Sequence, residues 1–358
     1  MTYPLDALRQ AGQSLWLDGI ERGMLVSGEL AAMVGRGDIQ GAAGNYRILQ
    51  PLVAESNIYD LAPVLHLGAG EIFWHLVVED ARNACDIFLP LHERTAGAEG
   101  YVSLEIDPRL LQNTQAIVAQ AHQLWQMVNR PNLMINIPAT RSALPAIRQL
   151  VAAGINIHAA RLFSLERYKD VMTAYMDGLE DCLLAGGNIE HIHSLASFVI
   201  SEVDEKMASL LPEGSPFLRK TAIAHACLVY AEFIQYFSSV RFGKLQLAKA
   251  NYQRLSWEST AVGVPGWPDT WYVDRLVGPA TVNTLSARTL QAFCDHGNVK
   301  QAATLLDGVE ESRALVRALE TAGMDAEAVL DGLEQEVLRD SAAVFGSLLD
   351  VLEKRRTA

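Results

Sequence analysis

"NLMINIPAT", residues 132–140, reads as a short buried strand that runs into a polar residue, a proline and a threonine. A brief apolar run halted by proline suits a strand covered on both faces. Before it lies "DPRLLQNTQAIVAQAHQLWQMV" (107–128), whose apolar residues recur at helical spacing. The same alternation continues in both directions. Further apolar runs are "SLWLD" (14–18), "IQGAAGN" (39–45), "GYVSLE" (100–105), "INIHAA" (155–160), "HSLASFVIS" (193–201), "QRLSWES" (253–259) and "ATVNTL" (280–285). Helical patterns separate them, and one of these, "LERYKDVMTAYMDGLEDCLLAGG" (165–187), stops at a glycine pair.

Repeated strand–helix units imply a parallel sheet. Eight strands, with no GxGxxG turn, predict an α/β fold of the closed (β/α)8 TIM-barrel type and not an open dinucleotide-binding sheet. Extra helices are expected within 51–92 and 203–250. Residues 286–356 read as wholly helical. The expected organisation is a barrel over 1–296 and a C-terminal helical extension over 297–358, packed on the barrel.

Half of the 358 residues are hydrophobic and the formal net charge is −13. That core is ample, and so acidic a chain does not suit nucleic acid, whose phosphates call for basic patches. The four cysteines, Cys85, Cys182, Cys227 and Cys294, form no CxxC pair and read as buried thiols. No apolar run has membrane-spanning length and no leader pattern opens the sequence. The expectation is a soluble cytoplasmic protein with a small-molecule substrate, no nucleic acid or membrane partner, and no cofactor or metal.

Active sites of such barrels lie at the C-terminal ends of the strands. Polar residues near those ends are Asp18, Asn45, Glu105, Asn136, His158, Ser197 and Ser259. Barrel mouths are polar in any case. A set with two carboxylates and an imidazole nevertheless points to a ligand pocket. Asp18, Glu105, His158 and Glu202 carry metal-ligating atoms, but no motif groups them.

The segments "LWLDGI", "GYVSLEIDPRL", "RPNLMINIPAT", "LPAIRQLVAAGINI", "LFSLERY", "LASFVISEVD" and "DTWYVDRLVGPATVNTL" together resemble a transaldolase, from about residue 14 to about 296. The resemblance implies a (β/α)8 barrel that moves a dihydroxyacetone unit between sugar phosphates through a Schiff base on a fourth-strand lysine. It also allows a homodimer, with the C-terminal helices as its candidate interface. The family motif resembles "IKIPAT"; here it is "INIPAT", with Asn136 in the lysine's place. An amide nitrogen is delocalised into its carbonyl and is not a nucleophile.

Other positions depart too. Tyr46 and Arg47 follow Asn45 where the family resembles "NPT". His158, Ala160 and Arg161 stand where the resemblance implies asparagine, threonine and leucine. Glu202 replaces the arginine that grips the substrate phosphate. Gly263 stands at or beside a lost basic residue, and Glu258 adds negative charge. Arg47 and Arg161 are new cations that either hold an anion or pair with Glu202 and Glu258.

From these departures the expected function is proton-transfer chemistry, without a Schiff base, on an unphosphorylated small molecule: isomerisation, dehydration, cyclisation or retro-aldol cleavage. Asp18, Glu105 and His158 are the candidate catalytic groups. Asn45, Arg47, Asn136, Arg161, Ser197, Glu202 and Ser259 are the candidate binding groups. The alternative is an inactive homologue that acts as a binding or structural partner.

Overall fold

A computed structural model describes residues 3–55, 58–263, 266–299 and 304–357. Eight parallel strands close into a barrel in sequence order: β1 Gln13–Asp18, β2 Gly41–Ala43, β3 Tyr101–Glu105, β4 Leu133–Pro138, β5 Ile157–Leu162, β6 Ser194–Val199, β7 Arg254–Glu258 and β8 Thr281–Leu285. The expected TIM barrel is therefore present. Several boundaries move: β2 stops two residues before Asn45, β5 starts two residues late and runs on to Leu162, and β6 ends at Val199.

Alternation along each strand sends one set of side chains inward. Trp16, Tyr101, Met134, Leu195 and Val282 form an apolar plug inside the barrel. The plug dictates its neighbour: a Cβ at Gly41 would lie 2.4 Å from the Trp16 ring, so β2 passes there as bare backbone. Below the plug, Arg254 donates to Glu99 Oε1 at 3.0 Å and to Ser14 Oγ at 2.6 Å and closes the floor.

The strands tilt, so a row of paired residues descends through the barrel. Glu105, Asn136, His158, Leu195 and Arg254 are successive register partners from β3 to β7. The row starts at the mouth and ends at the floor.

The outward faces meet a ring of helices in one continuous apolar core. Side-chain caps start several of them, among them Asn113, Ser164 and Ser286. Beyond β8 come helices Ala287–His296, Thr304–Asp307, Val309–Thr321 and Ala326–Thr357. The last packs on helices Tyr46–Glu55, Ala69–Arg94 and Ser201–Leu210, two of which follow β2 and β6 at the mouth end. Its Phe345, fully buried, meets the rings of Tyr46, Phe73 and Trp74. Among the described residues no helix is long and apolar enough to cross a membrane.

Candidate active site at the barrel mouth

Asp18 ends β1, and Asn45, just past β2, donates from Nδ2 to both of its carboxylate oxygens at 3.2 and 3.3 Å. Burial raises the Asp18 carboxyl above its ordinary range, while the Asn45 bond and Arg161 oppose that shift. The Asn45 Oδ1 accepts from the Arg47 backbone at 3.0 Å, a turn that orients the amide. Arg47 itself is exposed at the rim.

Glu105, at the end of β3, is 6% exposed. Burial raises its carboxyl, Arg161 and Arg47 oppose, and Asp18 adds to the rise. The Tyr46 hydroxyl donates to the Glu105 carbonyl, which ties the end of β3 to the helix Tyr46–Glu55 that follows β2. Asn136 is its partner on β4 and lies on the same inner face. The Asn136 Nδ2 approaches His158 Nδ1 only at 3.5 Å, and its buried Oδ1 has no partner among the described residues.

His158 sits lower than the sequence suggested. With β5 at Ile157–Leu162 it is the strand's second residue, not one near its end. Its Nδ1 meets Ser103 Oγ at 2.7 Å and its Nε2 meets Ser197 Oγ at 2.5 Å. It is 1% exposed, and burial followed by Arg161 pushes its pKa down to about 3. The imidazole is thus a neutral tether across β3, β5 and β6. Ser197, fully buried, is held by it one level below the mouth. Ser103 was not picked out from the sequence, although its i−2 spacing from Glu105 marks the same inward face.

Arg161 reaches the mouth by an irregularity. The β5–β6 register shifts between Ala159 and Leu162, and Arg161 has φ of +60°. Plain alternation from His158 would turn residue 161 outward; the bulge re-aims it. The charges that act on its guanidinium are Glu258, Glu105, Glu202 and Asp18. Its backbone N–H donates to Glu258 Oε1 at 3.2 Å.

Glu258 is the main group that the sequence reading left out of the site. It ends β7, and burial pushes its pKa up to about 7, against Arg161 and with Asp18 and Glu202. Its spacing from Ser256 and Arg254, both inward, was the available signal. Ser259 follows at φ +55° and donates from Oγ to Glu202 Oε1 at 3.1 Å. Glu202 lies in the first turn of helix Ser201–Leu210, past β6 and not within it. Gly263 is exposed, near Glu205. No group of three His, Cys, Asp or Glu able to hold a metal occurs among the described residues.

No lysine lies on any of the eight strands. Lys169, Lys206 and Lys249 pair with Glu166, Glu336 and Glu190 on outer elements. Lys300 lies outside the described residues.

The sequence model of the Transaldolase/Fructose-6-phosphate aldolase family matches residues 15–352. This chain belongs to the transaldolase family. The match runs on through the C-terminal helices, past the residue 296 at which the motif resemblance fades. Relatives named transaldolase agree along their whole length. Those of Parafrankia sp. and Thermobifida fusca are each 40% identical, over 99% of this chain and 98% of the first relative, and over the full length of both chains for the second. The transaldolase of Mycolicibacterium smegmatis is 37% identical over 98% of this chain and 96% of its own.

These relatives correct the function expected from the sequence. A chain that had left the transaldolase reaction for isomerisation or cyclisation of an unphosphorylated molecule, or had become inactive, does not fit them: full-length relatives at 37–40% identity carry the name transaldolase. A few substituted mouth positions count for less than agreement along the whole chain. The protein is an enzyme of the transaldolase family.

Proposed function

We propose that this transaldolase-family chain transfers a three-carbon ketose unit to an aldose at the barrel mouth. One observation carries the reading. Three carboxyls, Asp18, Glu105 and Glu258, end β1, β3 and β7 around a single guanidinium, Arg161, with burial raising all three. Burial that raises a carboxyl makes it a better proton acceptor, as general acid–base work requires.

In this reading a carboxylate takes the proton of the ketose C4 hydroxyl as the C3–C4 bond breaks. The electron pair of that bond moves toward C2, and the aldose leaves. The acceptor aldose then runs the same steps in reverse. Glu105, nine-tenths buried and beside Asn136, is the group assigned to this proton. Asp18, oriented by Asn45, and Glu258, titrating near neutrality, share the traffic. His158 acts as a positioning residue through Ser103 and Ser197. Arg161 offsets negative charge at the reacting end, and Arg47 at the rim is the cation left to meet a phosphate.

The test is transfer from fructose 6-phosphate to erythrose 4-phosphate, followed by mass spectrometry of the seven-carbon product. Product that disappears with Glu105→Gln supports the reading; product formed equally by that variant rejects the assignment.

A further inference from the structure

A second cleft opens beneath the C-terminal helix. Its volume is about 470 Å³, and its lining includes Gln112, Arg141, Arg167, Asp331, Glu334 and Gln335. One wall is the chain just past β4 with the first turn of helix Leu165–Leu184; the other is helix Ala326–Thr357. None of the candidate residues at the barrel mouth lines it.

Two of its charges are buried and loosely matched. Arg167 is 6% exposed and Glu334 4%. Nη1 of Arg167 stands 3.5 Å from Glu334 Oε1, too far for a good hydrogen bond, and donates to the Ala139 carbonyl at 3.2 Å. The Glu334 carboxylate accepts no hydrogen bond among the described residues. A carboxylate taken from water without hydrogen bonds costs free energy. Burial raises the Glu334 carboxyl; Arg167 opposes the rise, Asp331 adds to it and Arg141 opposes it, so all four charges share one space. Among the described residues the side chains of Arg141, Asp331, Gln112 and Gln335 make no hydrogen bond or ion pair.

Two guanidiniums and two carboxylates around one cleft select its ligand. A simple anion meets the carboxylates of Asp331 and Glu334, and a simple cation meets the two arginines. A molecule with both charges satisfies each pair. A carboxylate matches the planar fork of a guanidinium, and an ammonium brings three N–H donors to acceptors that have none.

We propose that this cleft binds a free α-amino acid, with its ammonium on Glu334 and Asp331 and its carboxylate on Arg167 and Arg141. Gln112 and Gln335 suit a polar, uncharged side chain. The bound molecule bridges the rim past β4 to helix Ala326–Thr357 and fastens that helix. The site is separate from the three-carbon transfer and does not rest on it.

Calorimetric titration of the full chain with L-glutamine tests the binding, with L-serine and glycine as smaller probes. Saturable binding is expected. N-acetyl-L-glutamine, which lacks the ammonium, and L-glutamine amide, which lacks the carboxylate, are each expected to bind about tenfold or more weakly, because charge-assisted hydrogen bonds are lost. Arg141→Gln and Asp331→Asn alter exposed side chains and leave the fold intact. Each is expected to weaken L-glutamine binding by about tenfold, with the transfer rate in the absence of amino acid unchanged. Hydrogen exchange of helix Ala326–Thr357 is expected to slow when L-glutamine is bound.

No saturable binding of any of the three amino acids overturns the proposal. Equal binding of N-acetyl-L-glutamine makes the cleft a plain anion site, and equal affinity in both variants places the ligand elsewhere; either result overturns it as well.

Discussion

The backbone N–H of Arg161 donates to Glu258 Oε1 at 3.2 Å, from the end of β5 to the end of β7 across the intervening β6. Arg161 can do this because its residue adopts the left-handed region at a bulge. A non-glycine residue held there costs of order 1–3 kcal/mol, and such strain gathers at functional sites. The same bulge brings the guanidinium among four carboxyls. Arg161→Gln should therefore move the Glu258 titration upward from about 7, since the cation that opposes the rise is gone. Carbon-detected NMR of the Glu258 carboxyl in wild type and variant measures the shift.

The raised Glu258 carboxyl also has a stability consequence. Its pKa lies at about 7 in the folded chain against an ordinary 4.5. A group raised on folding favours the folded state fully below 4.5, and that contribution is lost as pH rises to about 7. Glu258→Gln should thus match wild type near pH 4.5 and exceed it at pH 8, by about 1–3 kcal/mol. Urea unfolding at the two pH values reads the difference.

Buried histidines act in the opposite direction. Burial lowers His158 to about 3, and His193 and His225 to about 4. Groups depressed on folding contribute stability above the unfolded value of 6.5, and it is lost as pH falls toward those values. Acid unfolding should therefore begin below pH 6.5. The His158 ring signals should show no titration between pH 5 and 8, so His158 does not shape a pH–rate profile in that window. Proton NMR of the imidazole region checks this.

The eight strands, their order, and the inward placement of Asp18, Glu105 and Asn136 were legible because alternation and apolar runs are local features. Three matters were not. The height of His158 depends on strand tilt, which is set by closure of the whole barrel. The aim of Arg161 depends on a bulge between β5 and β6, with no glycine to announce it. Glu258 reads in the sequence only as an added negative charge that could pair with Arg47 or Arg161, because its raised pKa comes from burial and from Asp18 and Glu202, distant in sequence. Nor was the reaction legible there: single substitutions at a mouth say less about chemistry than agreement along the full chain.

Phe345 fastens the C-terminal helix to the wall beside the mouth. It is fully buried against Tyr46 and Phe73, with the Arg109 guanidinium 4.8 Å from its ring centre. Phe345→Ala should cost about 3–5 kcal/mol of stability, the usual range for emptying such a site. It should also loosen Tyr46, whose hydroxyl holds the Glu105 carbonyl. Hydrogen exchange of the Tyr46–Glu55 helix should quicken with the drop in stability.

The central claim is three-carbon transfer at the barrel mouth through Glu105, and one assay meets it directly. Purified chain is incubated with fructose 6-phosphate and erythrose 4-phosphate, and sedoheptulose 7-phosphate is followed by mass spectrometry. The account predicts steady formation of that product, reduced on the order of 10²–10⁴-fold in Glu105→Gln as a positioned acid–base group is removed. No seven-carbon product from the wild-type chain, or product formed at the same rate by Glu105→Gln, would contradict it.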